Sequence, residues 1–232
     1  MFQQGYSEGL RLATETLVTT ALLEAVSFAT VKRLRNTNDG KQLHTQALLC
    51  NLFNHLVLGP PIYALALMLF ARPQPLAQPK QAITTLGLIL VHSMCYYCMH
   101  FLMHTKPFYW MHKFHHRFNT FVVPSSANAV TIGEYFFAYM LPFVVGSLVC
   151  QPDAQALRHS VIVISFTNLL IHTPSLADTA SNYVPWIFVS TADHIEHHRK
   201  LTKNYAAPTF SVDNFLQRGQ DFYQRFTKSK SK

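Results

Sequence analysis

The chain has 232 residues, of which 49% are hydrophobic and only 13% charged, about half the charged share of a soluble domain. Nineteen Lys and Arg against 11 Asp and Glu give a formal charge of +8, and 13 His is an unusual count. The charge depletion argues against an ordinary soluble enzyme, the Pro, Gly and aromatic content excludes low-complexity disorder and collagen, and four Cys are too few for a secreted disulfide framework.

In chain order, residues 12–31 form an apolar helical segment that carries Glu15 and Glu24. Those charges predict a helix at a membrane interface or against a partner rather than a span. With the basic loop after it, this segment makes an N-terminal unit, 1–45, ahead of a membrane domain, 46–232. No basic region followed by an apolar core and a small-residue cleavage site opens the chain, so a cleaved signal peptide is not expected.

Counting His as neutral, four intervals lack charge: 42–71, 81–105, 135–152 and 159–177, of 30, 25, 18 and 19 residues. Each can hold a helix crossing the hydrocarbon core, which takes ~20 residues. The alternative, buried helices of a soluble core, fits poorly because one 26.4 kDa domain rarely has four such stretches. The predicted fold is therefore all-α and polytopic. Residues 71–79, with Pro73, Pro75 and Pro79, break the first pair of helices, and Gln151-Pro152-Asp153 breaks the second, giving two hairpins. With both breaks on one side, segments 32–46, 105–127 and 175–232 share the other and carry 15 of the 19 Lys and Arg. By the positive-inside tendency that side is cytoplasmic. Gly59-Pro60-Pro61 predicts a kink or re-entrant break in the first span, and Asn51 and His55 beside it are expected to hydrogen-bond within the bundle.

Most of the histidines are clustered. His100 and His104 form H-x-x-x-H, while His112, His115 and His116, and again His194, His197 and His198, form H-x-x-H-H. The latter pattern is expected only about 0.04 times by chance in such a chain, and it occurs twice. Spacings of three and four residues predict that each box presents its imidazoles on one helix face. All three boxes fall on the cytoplasmic side, as a metal-binding cap. Neutral imidazole ligates Zn, Fe, Cu and Ni, and eight such ligands are too many for one tetrahedral zinc and enough for two ions of higher coordination number. His172, one turn after Asn168, is either a further ligand or a structural donor.

From about residue 88 to 219 the chain resembles the fatty acid hydroxylase and sterol desaturase superfamily of membrane di-iron enzymes. The resemblance rests on the three boxes in order, the aromatic approach Phe108-Tyr109-Trp110-Met111, Glu134, Asp193, Asn204-Tyr205 and Asp213. His172 matches an extra histidine between the second and third boxes. The chain differs at Thr131-Ile132-Gly133, where the family often has His-Pro, and at Phe215-Leu216-Gln217, where Gly-Thr is common. The resemblance implies two irons held by His100, His104, His112, His115, His116, His172, His194, His197 and His198, with O2 as co-substrate. It implies hydroxylation or desaturation of an unactivated C–H in a sterol or acyl lipid, as a step of lipid biosynthesis. No heme-binding His-Pro-Gly-Gly segment occurs, so the electron donor, a cytochrome b5 with its NAD(P)H reductase, is expected to be a separate protein.

Glu134, Asp193 and Glu196 are the carboxylates expected to accept imidazole N–H bonds and orient the rings, with Asn204 beside them. For Glu196 a solvated role, and for Glu134 a helix-dipole role, stand as alternatives. Phe101, Met103, Phe108 and Tyr109 are candidates for a lipid entrance, or, for Phe108 to Trp110, for an interfacial aromatic belt. Cys95 and Cys98 read as inert packing, His92 as a polar packing residue, and His44 and His159 as bystanders. Arg199, Lys200 and Lys203 form a basic patch for lipid headgroups or an acidic redox partner. The tail from Lys228 to Lys232 resembles a K-x-K-x-x retrieval signal of the endoplasmic reticulum. A metal transporter and a b-type cytochrome are the competing functions.

Overall fold

Charge-free sequence becomes long helix in a computed structural model, which describes residues 2–177 and 183–230. Four helices are long and apolar enough to cross a membrane: α3 (Gly40–Phe70), α4 (Gln78–Met103), α5 (Ile132–Cys150) and α6 (Ala154–Ile171). Ahead of them come α1 (Phe2–Val26) and α2 (Phe28–Arg35), which meet at a bend of 83° and together would make a fifth span. Thr191–Lys200 is α7 and Val212–Lys230 is α8. The described residues contain no strand beyond two isolated bridges. Large apolar side chains such as Leu69, Ile83 and Val149 point outward from the spans, as a lipid environment requires. Ser231 and Lys232, the end of the tail read as a retrieval signal, lie outside the described residues.

The two linkers meet. Arg72 N–H donates to Pro152 O at 2.8 Å, and the buried Asp153 accepts from Leu76 N, Ala156 N and the Gln81 amide. Both hairpin turns therefore sit at one end of the bundle. The ends of α4 and α6 that carry His100 and His172 sit at the other.

No re-entrant break occurs at Gly59-Pro60-Pro61. Instead, a π-helical stretch, Phe53–Leu58, precedes the prolines within one continuous span, and Gly59 N–H reaches back to Asn54 O. Pro142 in α5 is met the same way by Tyr135–Met140. Prolines donate no N–H, and the wider π turn absorbs the resulting mismatch in the ladder. Both π segments turn polar side chains inward. Asn54, rather than His55, makes the expected bundle bonds, to Asn128 O and Val130 O, while Asn51 bonds Ala47 O and Ser125 O.

The helix α1 begins well before residue 12 and lies against α3 and α6. Small residues permit the contact, because a Cβ on Gly9 would stand 2.8 Å from Pro60 Cα and one on Gly5 would stand 2.9 Å from Ala64 Cα. Glu8 pairs with Arg158 of α6 at 2.6 Å. His44, read as a loop bystander, lies buried in α3, which starts at Gly40. Its Nε2 is 2.9 Å from Glu24, whose other oxygen accepts from Ser125 N at 2.8 Å. This chain of bonds ties α1 and α3 to the segment 124–128 beneath the histidines.

Candidate metal centre

The nine clustered histidines converge, but the boxes do not stay together. One group comprises His100, His104, His112, His116 and His197; a second comprises His115, His172, His194 and His198. Within each group one ring nitrogen per residue lies within 4.8 Å of all the others, and every member except the partly buried His104 is buried. Each H-x-x-H-H box thus serves both groups. His112 and His116 go to the first and His115 to the second, whereas His194 and His198 go to the second and His197 to the first. The expectation of one face per box is corrected here. In α7 successive residues are 100° apart, so His197 and His198 fall on opposite flanks of His194, and across 112–116 a turn and a 3-10 segment divide the rings in the same way. The box straddles two sites instead of facing one.

Ring orientation is set by the outer nitrogens. Nδ1–H of His100 donates to Tyr205 O, that of His197 to Lys203 O, that of His172 to Asn168 O and that of His112 to Glu134 Oε1, all at 2.7 Å. In a neutral ring so bonded, Nε2 carries only a lone pair. Yet Nε2 of His100 lies 2.9 Å from Nε2 of His112 and 3.1 Å from that of His197. Two lone pairs at that distance have no proton to share and repel. In the second group, Nε2 of His172 and His194 approach to 2.9 Å. A cation among them turns the repulsive contacts of the first group into ligand pairs and can take the close-set Nε2 atoms of the second, so the donor set fits bound metal.

Burial, reinforced by neighbouring imidazoles, keeps the rings neutral. It lowers His104 to about 3 and His172 and His197 to about 4, and holds His112, His115, His194 and His198 well below their ordinary value. The lone pairs are therefore available to a metal at neutral pH.

Of the three carboxylates expected around the rings, one is in place. Glu134 is fully buried at the start of α5. Its N–H donates to Thr131 Oγ1, whose hydroxyl in turn donates to Met111 O at 2.8 Å, locking Glu134 beside His112. The second oxygen, Oε2, has no partner among the described residues. A buried carboxylate whose one side-chain partner is a neutral imidazole needs positive charge nearby, which bound metal supplies. Glu134→Gln keeps the size but not the charge, and such changes beside metal ligands lower affinity about 10–100-fold. Chelator competition on the purified protein measures this, and an unchanged affinity would remove Glu134 from the centre.

Asp193 and Glu196 are corrected. The Asp193 carboxylate accepts from Ser190 Oγ at 2.7 Å, at the N-cap of α7, and touches no imidazole. Glu196 faces outward and pairs with Lys200 at 2.8 Å and Lys203 at 2.6 Å; those bonds lower it to about 2. This one carboxylate, shared by two ammonium groups, offsets one of the three positive charges in the expected basic patch of Arg199, Lys200 and Lys203. Asn204 acts through the backbone. It adopts a left-handed φ of 57°, tolerated by Asn, and its amide donates to Asp193 O at 3.1 Å. The flanking carbonyls of Lys203 and Tyr205 are thereby aimed at His197 and His100. These backbone acceptors, like Thr131, carry no side-chain signature by which sequence could announce them.

Among the spans lies a cavity of about 330 Å³ between α1, α3, α4, α5 and α6. It approaches the histidines through Tyr96, whose ring is 5.2 Å from that of His100, and Asn168, whose carbonyl holds His172. Leu65, Leu69 and Phe136 line it while also exposed on the outer surface, so it opens sideways toward lipid. None of Phe101, Met103, Phe108 and Tyr109 lines it. Met103 is wholly buried, and Phe101, Phe108 and Trp110 are exposed around the metal-binding end. Cys95 and Cys98 are free thiols.

The fatty acid hydroxylase family model matches residues 85–217, a stretch that holds all nine clustered histidines and Glu134. No curated protein and no solved structure matches the chain.

Proposed function

Since the chain belongs to the fatty acid hydroxylase family, we propose that it is a di-iron enzyme that hydroxylates or desaturates an unactivated C–H of a membrane lipid, sterol or acyl, in lipid biosynthesis. The observation that carries this reading is the division of nine histidines into groups of five and four, with unprotonated ring nitrogens of His100, His112 and His197 facing one another in the first. Iron in the two groups, drawing electrons from a separate donor such as a cytochrome b5, would supply O2 activation and C–H cleavage. The protein supplies the rest. Backbone carbonyls and Glu134 fix the rings, burial keeps them neutral, and the apolar cavity delivers a lipid from the side past Tyr96 and Asn168.

The same geometry disfavours the competing functions. Ring nitrogens only 2.9 Å apart, as in His100–His112 and His172–His194, are closer than two axial ligands on opposite faces of one porphyrin, and groups of five and four gather more imidazoles than the two a heme takes. Ligands gathered at one end of the bundle do not mark a path across it. The positive charge on the histidine-bearing side supports a cytoplasmic active site, and the basic tail supports residence in the endoplasmic reticulum.

Protein purified from iron-replete cells under reducing conditions is expected to hold about two irons per chain with no heme absorption. Lipid profiling of cells with and without the chain is expected to show an O2-dependent hydroxylated or desaturated product. Heme, or one metal or none per chain, would overturn the reading.

A further inference from the structure

Of the four histidines outside the centre, two face the cavity among the spans. His92 lies on α4 eight residues before His100, roughly 12 Å down the helix axis at the ordinary rise. It is only 1% exposed, and neither ring nitrogen has a hydrogen-bond partner among the described residues. His55, in the π segment of α3, has a buried Nε2 in the same condition. Both line the 330 Å³ cavity. A polar packing role for His92 would require a protein partner, and its nearest rings, Phe143 at 4.6 Å and Tyr96 at 6.2 Å, pack against it. Burying an imidazole with its hydrogen bonds unmade costs free energy, and within a membrane-spanning helix such a residue marks a ligand site.

We propose that His92, in a cavity that His55 also lines, is a polar anchor that hydrogen-bonds a hydroxyl or carbonyl oxygen of an uncharged lipid substrate. A neutral imidazole offers one donor and one acceptor, which a hydroxyl complements on both counts. Lys, Arg, Asp and Glu are absent from the residues lining the cavity, so a carboxylate or phosphate there would lie unpaired at membrane depth. The apolar body of the lipid fills the remaining space toward Tyr96 and Asn168. With its oxygen held at His92, the carbon presented to the metal centre lies roughly 12 Å away, and the helix itself becomes the ruler that selects the oxidised position. This subsite rests on the lipid-oxidation reading and adds to it the polarity and the anchoring point of the substrate.

The test is equilibrium binding to the purified full chain, with and without metal, using radiolabelled hexadecanol, cholesterol, hexadecane and palmitate. At least one of the two alcohols is expected to bind about tenfold or more tightly than hexadecane and palmitate. Which alcohol does so identifies the lipid body as linear or sterol. His92→Phe, which fills the site without polar atoms, is expected to remove that advantage while leaving hexadecane binding unchanged, and His92→Gln to restore part of it. Equal binding of alcohols and hexadecane by the unaltered protein, which needs no variant to fold, would overturn the proposal, as would an undiminished advantage in His92→Phe. The readout does not pass through turnover. Absence of iron would strike the oxidation reading and leave the alcohol preference standing, whereas loss of the preference with iron present would strike only the subsite.

Discussion

His197→Ala and His115→Ala are each expected to abolish turnover while removing about one metal ion per chain, and the double variant to remove both. The expectation follows from the partition: His197 is one of five donors in the first group and His115 one of four in the second, although both come from the same kind of box. Altering a partner behind a ligand already lowers affinity or activity about 10–100-fold, so deleting a ligand from a buried group exceeds that. The side chains lie where the elements end, outside the apolar cores of the spans, and insertion into the membrane should be retained. Metal analysis beside a turnover assay reads the result. Loss of both ions from either single variant, or loss of none, would contradict two separable groups.

Acid is expected to destabilise the metal-free protein steeply. In the unfolded chain each imidazole takes a proton near pH 6.5, whereas in the fold His172 and His197 stay neutral down to about 4, and His112, His115, His194 and His198 are likewise held well below 6.5. Between those limits the unfolded state binds more protons, so stability rises with pH and is lost as pH falls below 6.5; above 6.5 these groups contribute no pH dependence. Each contributes about 1.4 kcal/mol at one pH unit below 6.5, and six together are on the order of 8 kcal/mol, comparable to a whole domain's stability of roughly 5–15 kcal/mol. Thermal unfolding followed by the fluorescence of Trp110 and Trp186 should show the transition temperature dropping between pH 7 and 5.5, and dropping less when metal occupies the lone pairs. A transition temperature that is flat or rises over that interval would refute the neutral cluster.

Much of this architecture is legible before any coordinate is known. Absence of charge is a one-dimensional signal, and it places all four spans within a few residues. Histidine spacing is another, and it identifies eight of the nine residues that converge, with His172 added only by the family resemblance. What it does not convey is the partition, because the direction of each ring depends on where four separate segments meet. Asp193 and Glu196 sit in the right box but lean the wrong way, one into an N-cap and the other toward Lys200 and Lys203. Glu134 is positioned through Thr131 and Met111, a long-range bond that no local pattern encodes. Local grammar is also incomplete at Gly59-Pro60-Pro61, where a kink or a re-entrant break is the ordinary expectation and a π turn carries one continuous helix through the prolines.

The two metal groups share no side chain, yet they share backbone. The short segment from His112 to His116 and the single helix α7 each hand ligands to both sides, like two staples driven across one seam. A point substitution can therefore silence one group and spare the other, but a change of register cannot. Inserting or deleting one residue between His112 and His115, or between His194 and His197, swings donors out of both groups at once. Spacing within the box is accordingly held more rigidly than the identity of any residue between the histidines, and the intervening Lys113, Phe114, Ile195 and Glu196 are the positions where this centre can be rewritten without being dismantled.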